Sequence, residues 1–125
     1  MANAGPKTEL TFFHGTTLRR AQQITNDQAF DFAHRLYVVV PAHRDLAEFF
    51  ARRKAGREGD RPAVVSVLLE DKDFQGIWKR GEARLRPFDA EDNPRLQGRN
   101  QWEIDPIGVR ILNVRLIEIN YEAIT

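Results

Sequence analysis

The chain contains no cysteine. That excludes a disulfide framework, thiolate-ligated zinc and thiol nucleophiles. The three histidines, His14, His34 and His43, lack the i, i+4 or other short spacing of a metal site, so no metal is expected. Excess charge is almost absent: 19 lysines and arginines face 18 aspartates and glutamates, a net charge of +1. Sequence-independent attraction to nucleic acid or to acidic membrane is therefore not expected, and binding has to be local. No apolar run approaches the roughly 20 residues of a membrane span. MANAGPKTEL at 1–10 lacks the apolar centre of a signal peptide. A soluble, cytoplasmic protein with no membrane partner is expected. There is no internal repeat and no low-complexity tract.

What is present suits one domain. The 125 residues are 42% hydrophobic, enough for one modest core and too few for two. A disordered tail over residues 1–9 is expected ahead of a domain over residues 10–125. LTFFH at 10–14 stops at Gly15, as a strand ending in a turn does. Thr16 or Thr17 is placed to cap a helix in which Leu18, Ala21 and Ile24 repeat at helical spacing as far as TND at 25–27. LYVVV at 36–40 predicts a second strand, closed by Pro41. Leu46, Phe49, Phe50 and Arg53 stand at i, i+3, i+4 and i+7 of a second helix, which Gly56 is placed to stop. AVVSVLL at 63–69 is apolar on both faces and is the expected centre of the sheet.

From Glu70 to Asn100 the periodicity is lost, and Gly76, Gly81, Pro87, Pro94 and Gly98 punctuate what reads as a long functional loop, pinned by Trp78. QWEI and GVRILNVRLIEINY flank Asp105, Pro106 and Gly108, predicting a β-hairpin. In the last strand the apolar phase slips between Ile111 and Leu112 and again between Leu116 and Ile117, each slip marking a bulge or bend. Strand, helix, strand, helix and then mostly strands make an α+β domain.

Four features fall at the ends of these elements: His14-Gly15-Thr16 after the first strand, Tyr37 in the second, Phe49 and Phe50 on the second helix, and Gln101-Trp102-Glu103 on a late strand. In this order they resemble the ADP-ribosyltransferase superfamily, whose members bind NAD through a His-Gly-Thr or His-Gly-Ser turn, a strand tyrosine, a helical aromatic and a late-strand glutamate. The resemblance runs from about residue 11 to 114, including the QWEIDPIGVRILNV ending. It implies split antiparallel β-sheets flanked by short helices, with an NAD cleft between them. The implied activity is that of a mono-ADP-ribosyltransferase: NAD as co-substrate, nicotinamide as leaving group, and a protein or small-molecule acceptor.

The resemblance also implies roles. Breaking the nicotinamide–ribose bond creates an oxocarbenium-like transition state, which a fixed carboxylate stabilises where water is excluded. Glu103 is the candidate for that group, bonded to the ribose 2′-hydroxyl. His14 is expected to hold the adenosine-side ribose, and Gly15 to offer backbone groups to the nicotinamide amide, since glycine allows close approach. Tyr37 and either Phe49 or Phe50 are expected to stack on the pyridinium ring. LAEFFA favours Phe49, while Phe50 lies at i+4 from Leu46 and suits the core. Gln101, two residues before Glu103, shares its strand face and is placed to orient the acceptor. A Gln-x-Glu pair resembles exoenzymes that modify asparagine.

Competing interpretations attach to the same residues. Glu103 is also placed to make a surface ion pair with Arg99 or Arg110, and the aromatics to fill a core. RRK at 52–54 suits a solvated helix end. Asp60 with Glu70-x-Lys72 imitates a metal-dependent nuclease, although Asp60 falls in a turn-like charged stretch. NAD-dependent RNA 2′-phosphotransferases share the His-Gly-Thr turn but normally carry a basic lobe before it, and only 13 residues precede His14 here. A catalytically silent module of the same fold, binding NAD, ADP-ribose or a protein, is the non-enzymatic alternative.

Overall fold

A strand that is apolar on both faces needs two covers, and the longest apolar run has them. The computed structural model describes residues 9–30, 35–89, 93–105 and 115–119. In it β3 (Pro62–Glu70) lies between β1 (Glu9–Thr17) and β6 (Arg115–Ile119) in an antiparallel sheet. Ala63, Val65, Val67 and Leu69 belong to the main core, while Val64 packs with Leu46, Ala47 and Ala51 of α2 (Arg44–Glu58). That alternation with both phases apolar is the signature read from the sequence. β1 runs beside β3 in unbroken register from Glu9↔Glu70 to Thr17↔Pro62. On the other edge Val65 faces Ile119 and Val67 faces Leu116, so one extra residue bulges β6 where the phase slip at Leu116 and Ile117 was expected.

Glu9, expected in the tail, opens β1; residues 1–8 lie outside the described residues. So do Pro106, Gly108, Arg110 and the slip at Ile111 and Leu112. Among the described residues no helix is long and apolar enough to cross a membrane.

α1 (Leu18–Asp27) starts where predicted. Thr17 Oγ1 accepts the Arg20 N–H at 3.3 Å, and Ala21 and Ile24 turn inward. Asp60 completes that start: its carboxylate accepts the N–H of Arg19 at 2.9 Å and of Arg61 at 2.8 Å. Capping therefore accounts for Asp60 without a metal. α2 does not stop at Gly56. It runs on to Glu58, and Gly59, at φ 65°, makes the left-handed cap, its N–H on the Ala55 carbonyl. A lone glycine in a helix interior costs about 1 kcal/mol, which the buried stripe Ala47, Ala51 and Ala55 offsets.

Two expectations are corrected. The stretch 71–100 is not one loop, for it contains α3 (Asp71–Lys79), β4 (Ala83–Pro87) and a 3₁₀ turn at Pro94–Leu96. Phe74 and Ile77 bury one face of α3, and Phe74 meets Phe12 and Trp102 with ring centroids 5.2 and 4.9 Å away. Trp78, expected to pin a loop, is 55% exposed. Second, β5 (Asn100–Ile104) forms no hairpin with β6. It sits between β2 (Leu36–Val38) and β4 in a second antiparallel sheet, while β6 covers the open edge of β3. The turn residues signalled a local pairing, and β5 instead has non-local partners on both of its edges.

The fold is thus α+β, with two three-stranded antiparallel sheets, β1-β3-β6 and β2-β5-β4. Among the described residues one bridge joins them: Phe13 and Val39 exchange N–H···O bonds of 2.8 and 2.9 Å. Beyond Phe13 the backbones part, and a side chain takes over.

Candidate active site

That side chain is His14. It is buried, meets the Phe30 ring edge-on at 5.2 Å, and bonds the Tyr37 carbonyl through Nδ1 at 2.7 Å. A carbonyl only accepts, so Nδ1 carries the proton and Nε2 the lone pair. Burial first, then the charge of Lys54, push the imidazole pKa from 6.5 down to about 3, against the bond to Tyr37. His14 is therefore neutral at physiological pH. Between about 3 and 6.5 the unfolded chain binds a proton that the folded chain refuses, so stability falls as pH drops through that window. The urea midpoint should decline from pH 6.5 to 5, above most carboxylate titration, and His14→Gln should flatten that decline. An unchanged slope in the variant would exclude His14 as its source.

Register assembles the second part. Tyr37 on β2, Glu103 on β5 and Arg84 on β4 are directly cross-strand, and Gln101 faces Arg86 one step along. Glu103 is 5% exposed. Its carboxylate accepts the Tyr37 hydroxyl at 3.0 Å, Arg35 at 3.2 Å, Arg84 at 3.0 Å and Arg86 at 3.4 Å. Burial pushes the Glu103 pKa up, but the Tyr37 and Arg84 hydrogen bonds and the Arg35 and Arg86 charges outweigh it, leaving the carboxyl below its usual range. Tyr37 is held as the phenol, chiefly by burial and then by Glu103. Arg84 is anchored by both oxygens of Asp105 and by the Gly81 carbonyl. Arg99 pairs with Asp45, and Arg110 lies outside the described residues, so among the described residues the ion-pair partners of Glu103 are Arg35, Arg84 and Arg86.

A cavity of about 470 Å³ opens beside His14, within the roughly 300–1,000 Å³ of small-molecule sites. His14, Thr16, Phe30 and Tyr37 line it, with Arg35 at one side and Lys54 and Arg57 of α2 at another. Of the residues singled out in the sequence, His14, Thr16 and Tyr37 meet here. Glu103 is hydrogen-bonded to Tyr37 but does not line this cavity, and Gln101 shares its strand face. Neither Phe49 nor Phe50 lines it. They pack with Phe88 in a triangle of rings 5.5 to 5.7 Å apart, and the ring at His14 is Phe30. Gly15 is also required by packing: a Cβ there would stand 1.9 Å from the Ala47 carbonyl oxygen of α2. Its own carbonyl accepts Lys54 Nζ at 3.2 Å.

The arginines escaped sequence reasoning. Arg84 and Arg86 alternate with period two, as Gln101 and Glu103 do, a cross-strand charge match legible only once β4 is recognised. Comparison with protein-family models, curated proteins and solved structures finds no match to this chain. The functional conclusion rests on the geometry of the site.

Proposed function

We propose that the chain is a mono-ADP-ribosyltransferase, cleaving NAD, releasing nicotinamide and passing ADP-ribose to a protein or small-molecule acceptor. On this proposal the two sheets are the split pair of that superfamily, and NAD lies in the opening between them. One observation carries the reading. His14, Tyr37 and Glu103 come from three strands in two sheets, and bonds of 2.7 and 3.0 Å join them beside a cavity of suitable size.

Each group suits its part. The Nε2 lone pair of neutral His14 accepts a ribose hydroxyl. Tyr37, 38% exposed, offers a ring face to the nicotinamide. Glu103, kept ionised, stabilises the positive charge that develops at the anomeric carbon as the C–N bond breaks and its electron pair leaves on nicotinamide. The acceptor then bonds that carbon and sheds a proton, with Gln101 beside Glu103 to orient it. A second reading has support of its own. Four donors enclose Glu103, which suits a module that binds NAD or ADP-ribose without cleaving it.

Incubation with NAD labelled on the adenylate, with and without cell lysate, separates the two. A transferase releases nicotinamide and labels an acceptor, whereas the silent module binds NAD by calorimetry and releases nothing. Absence of both sinks the proposal.

A further inference from the structure

Among the described residues, two cations on the cavity wall, Lys54 and Arg57, make no ion pair within 4 Å. α2 lays Ala47, Ala51 and Ala55 against the first sheet, and this seating brings the next side chain on that side, Lys54, over the edge of β1. Its ammonium donates to a neutral carbonyl, that of Gly15, one residue from His14. Arg57 follows three residues later on the same helix side, about one turn along. The other charges around the cavity are mixed: Arg20 pairs with Glu58 at 3.0 Å, Arg35 pairs with Glu103, and the carboxylate of Asp27 also lines the wall. Lys54 and Arg57 make no ion pair among the described residues. The Glu58 carboxylate, which is paired with Arg20, only partly offsets the burial of the Lys54 ammonium, and an anion entering the cavity stabilises that charge further.

From this we infer that Lys54 and Arg57 form a diphosphate subsite, so that the cavity takes a nucleoside diphosphate moiety with the diphosphate against α2 and a ribose hydroxyl on His14 Nε2. The subsite deepens the NAD-cleaving reading and rests on it for the identity of the whole ligand. The chemistry needs a polyanion, because a neutral nucleoside leaves both cations as they are. Burial lowers the Lys54 pKa, and the Arg20 and Arg57 charges add to this against the opposing Glu58 carboxylate.

The test measures binding of ADP, adenosine and inorganic pyrophosphate by calorimetry at low salt, with wild type, Lys54→Met and Arg57→Gln. Methionine keeps the buried stem of Lys54 without its charge. Wild type should bind ADP roughly tenfold or more tighter than adenosine, and Lys54→Met should lose most of that preference, about tenfold, with Arg57→Gln losing a smaller part. Pyrophosphate should compete with ADP in wild type and not in Lys54→Met. Equal binding of ADP and adenosine, no binding of either, or an undiminished preference in Lys54→Met overturns the subsite. If Lys54→Met fails to fold, Arg57→Gln decides, since that side chain is exposed: a reduced preference supports the subsite and an unchanged one overturns it. The two readings fail separately. Lys54-dependent ADP binding without NAD cleavage keeps the subsite and rejects the transferase, while NAD cleavage with an unaltered KM in Lys54→Met does the reverse.

Discussion

Glutamine at position 103 should reduce nicotinamide release by a factor of roughly 10²–10³, the usual loss when a group aimed at developing charge is neutralised. The same variant should be less stable by about 1–3 kcal/mol. The two effects have one origin. Glu103 is a buried acceptor for Tyr37 and three arginines, and the amide of glutamine turns one acceptor oxygen into a donor that meets other donors. Arg84 keeps Asp105 as a second partner, and Arg35 and Arg86 are more than half exposed, so solvent softens the loss below that of a fully buried pair. Urea unfolding gives the stability change, and assay well below the unfolding midpoint separates it from catalysis. A variant that loses stability but cleaves NAD normally would reduce Glu103 to the counter-ion of an arginine cluster. The pH signature also differs from that of His14. The Glu103 pKa is depressed, so its contribution is complete above the ordinary carboxylate range and drains only as pH falls through the lowered folded value. His14 already costs stability from about 6.5 downward.

The outcome for Glu103 bears on how much of the molecule was legible beforehand. Local signals were reliable where one element decided its own conformation: the apolar run of β3 and the Thr17 cap of α1, whereas β2, expected over 36–40, ends at Val38 with Val39 bridging to Phe13. They failed where the deciding contact was distant. α3 looked like loop because Gly76 interrupts it and only Phe74 and Ile77 are buried. Tertiary contacts with Phe12 and Trp102 supply what periodicity lacked. With α3 and β4 unseen and nothing local to tie β5 to the distant β2, the turn residues after Ile104 made a hairpin the natural inference. The site divides the same way. The resemblance carried by His14, Tyr37 and Glu103 implied a common site, and hydrogen bonds do join the three, but Arg84 and Arg86 depend on β4. Lys54 depends on how closely α2 approaches β1, which composition does not reveal.

That approach is also where the largest structural effect should lie. Gly15→Ala should destabilise the fold by about 3 kcal/mol or more, at the upper end of overpacking costs. The melting temperature should fall by roughly 10 °C, given the usual few degrees per kcal/mol for a domain of this size. The added methyl would meet the Ala47 carbonyl oxygen at 1.9 Å and the Ala51 amide nitrogen at 2.9 Å, both backbone atoms that no rotamer change can move. Trimming the neighbour should not help, so Ala47→Gly in the same chain should fail to restore stability. Rescue by that second change would show the contact to be with a side chain instead. Gly56→Ala is the matched control. Nothing lies within 4 Å of a Cβ at Gly56, and alanine there should stabilise α2 by about 1 kcal/mol. Opposite signs for one substitution at two glycines separate backbone crowding from helix propensity. If Gly15→Ala folds with α2 pushed outward, Lys54 leaves the Gly15 carbonyl, and ADP affinity should fall with stability even though no cavity side chain has changed. The glycine between His14 and Thr16 thus acts on the site through the seating of a helix.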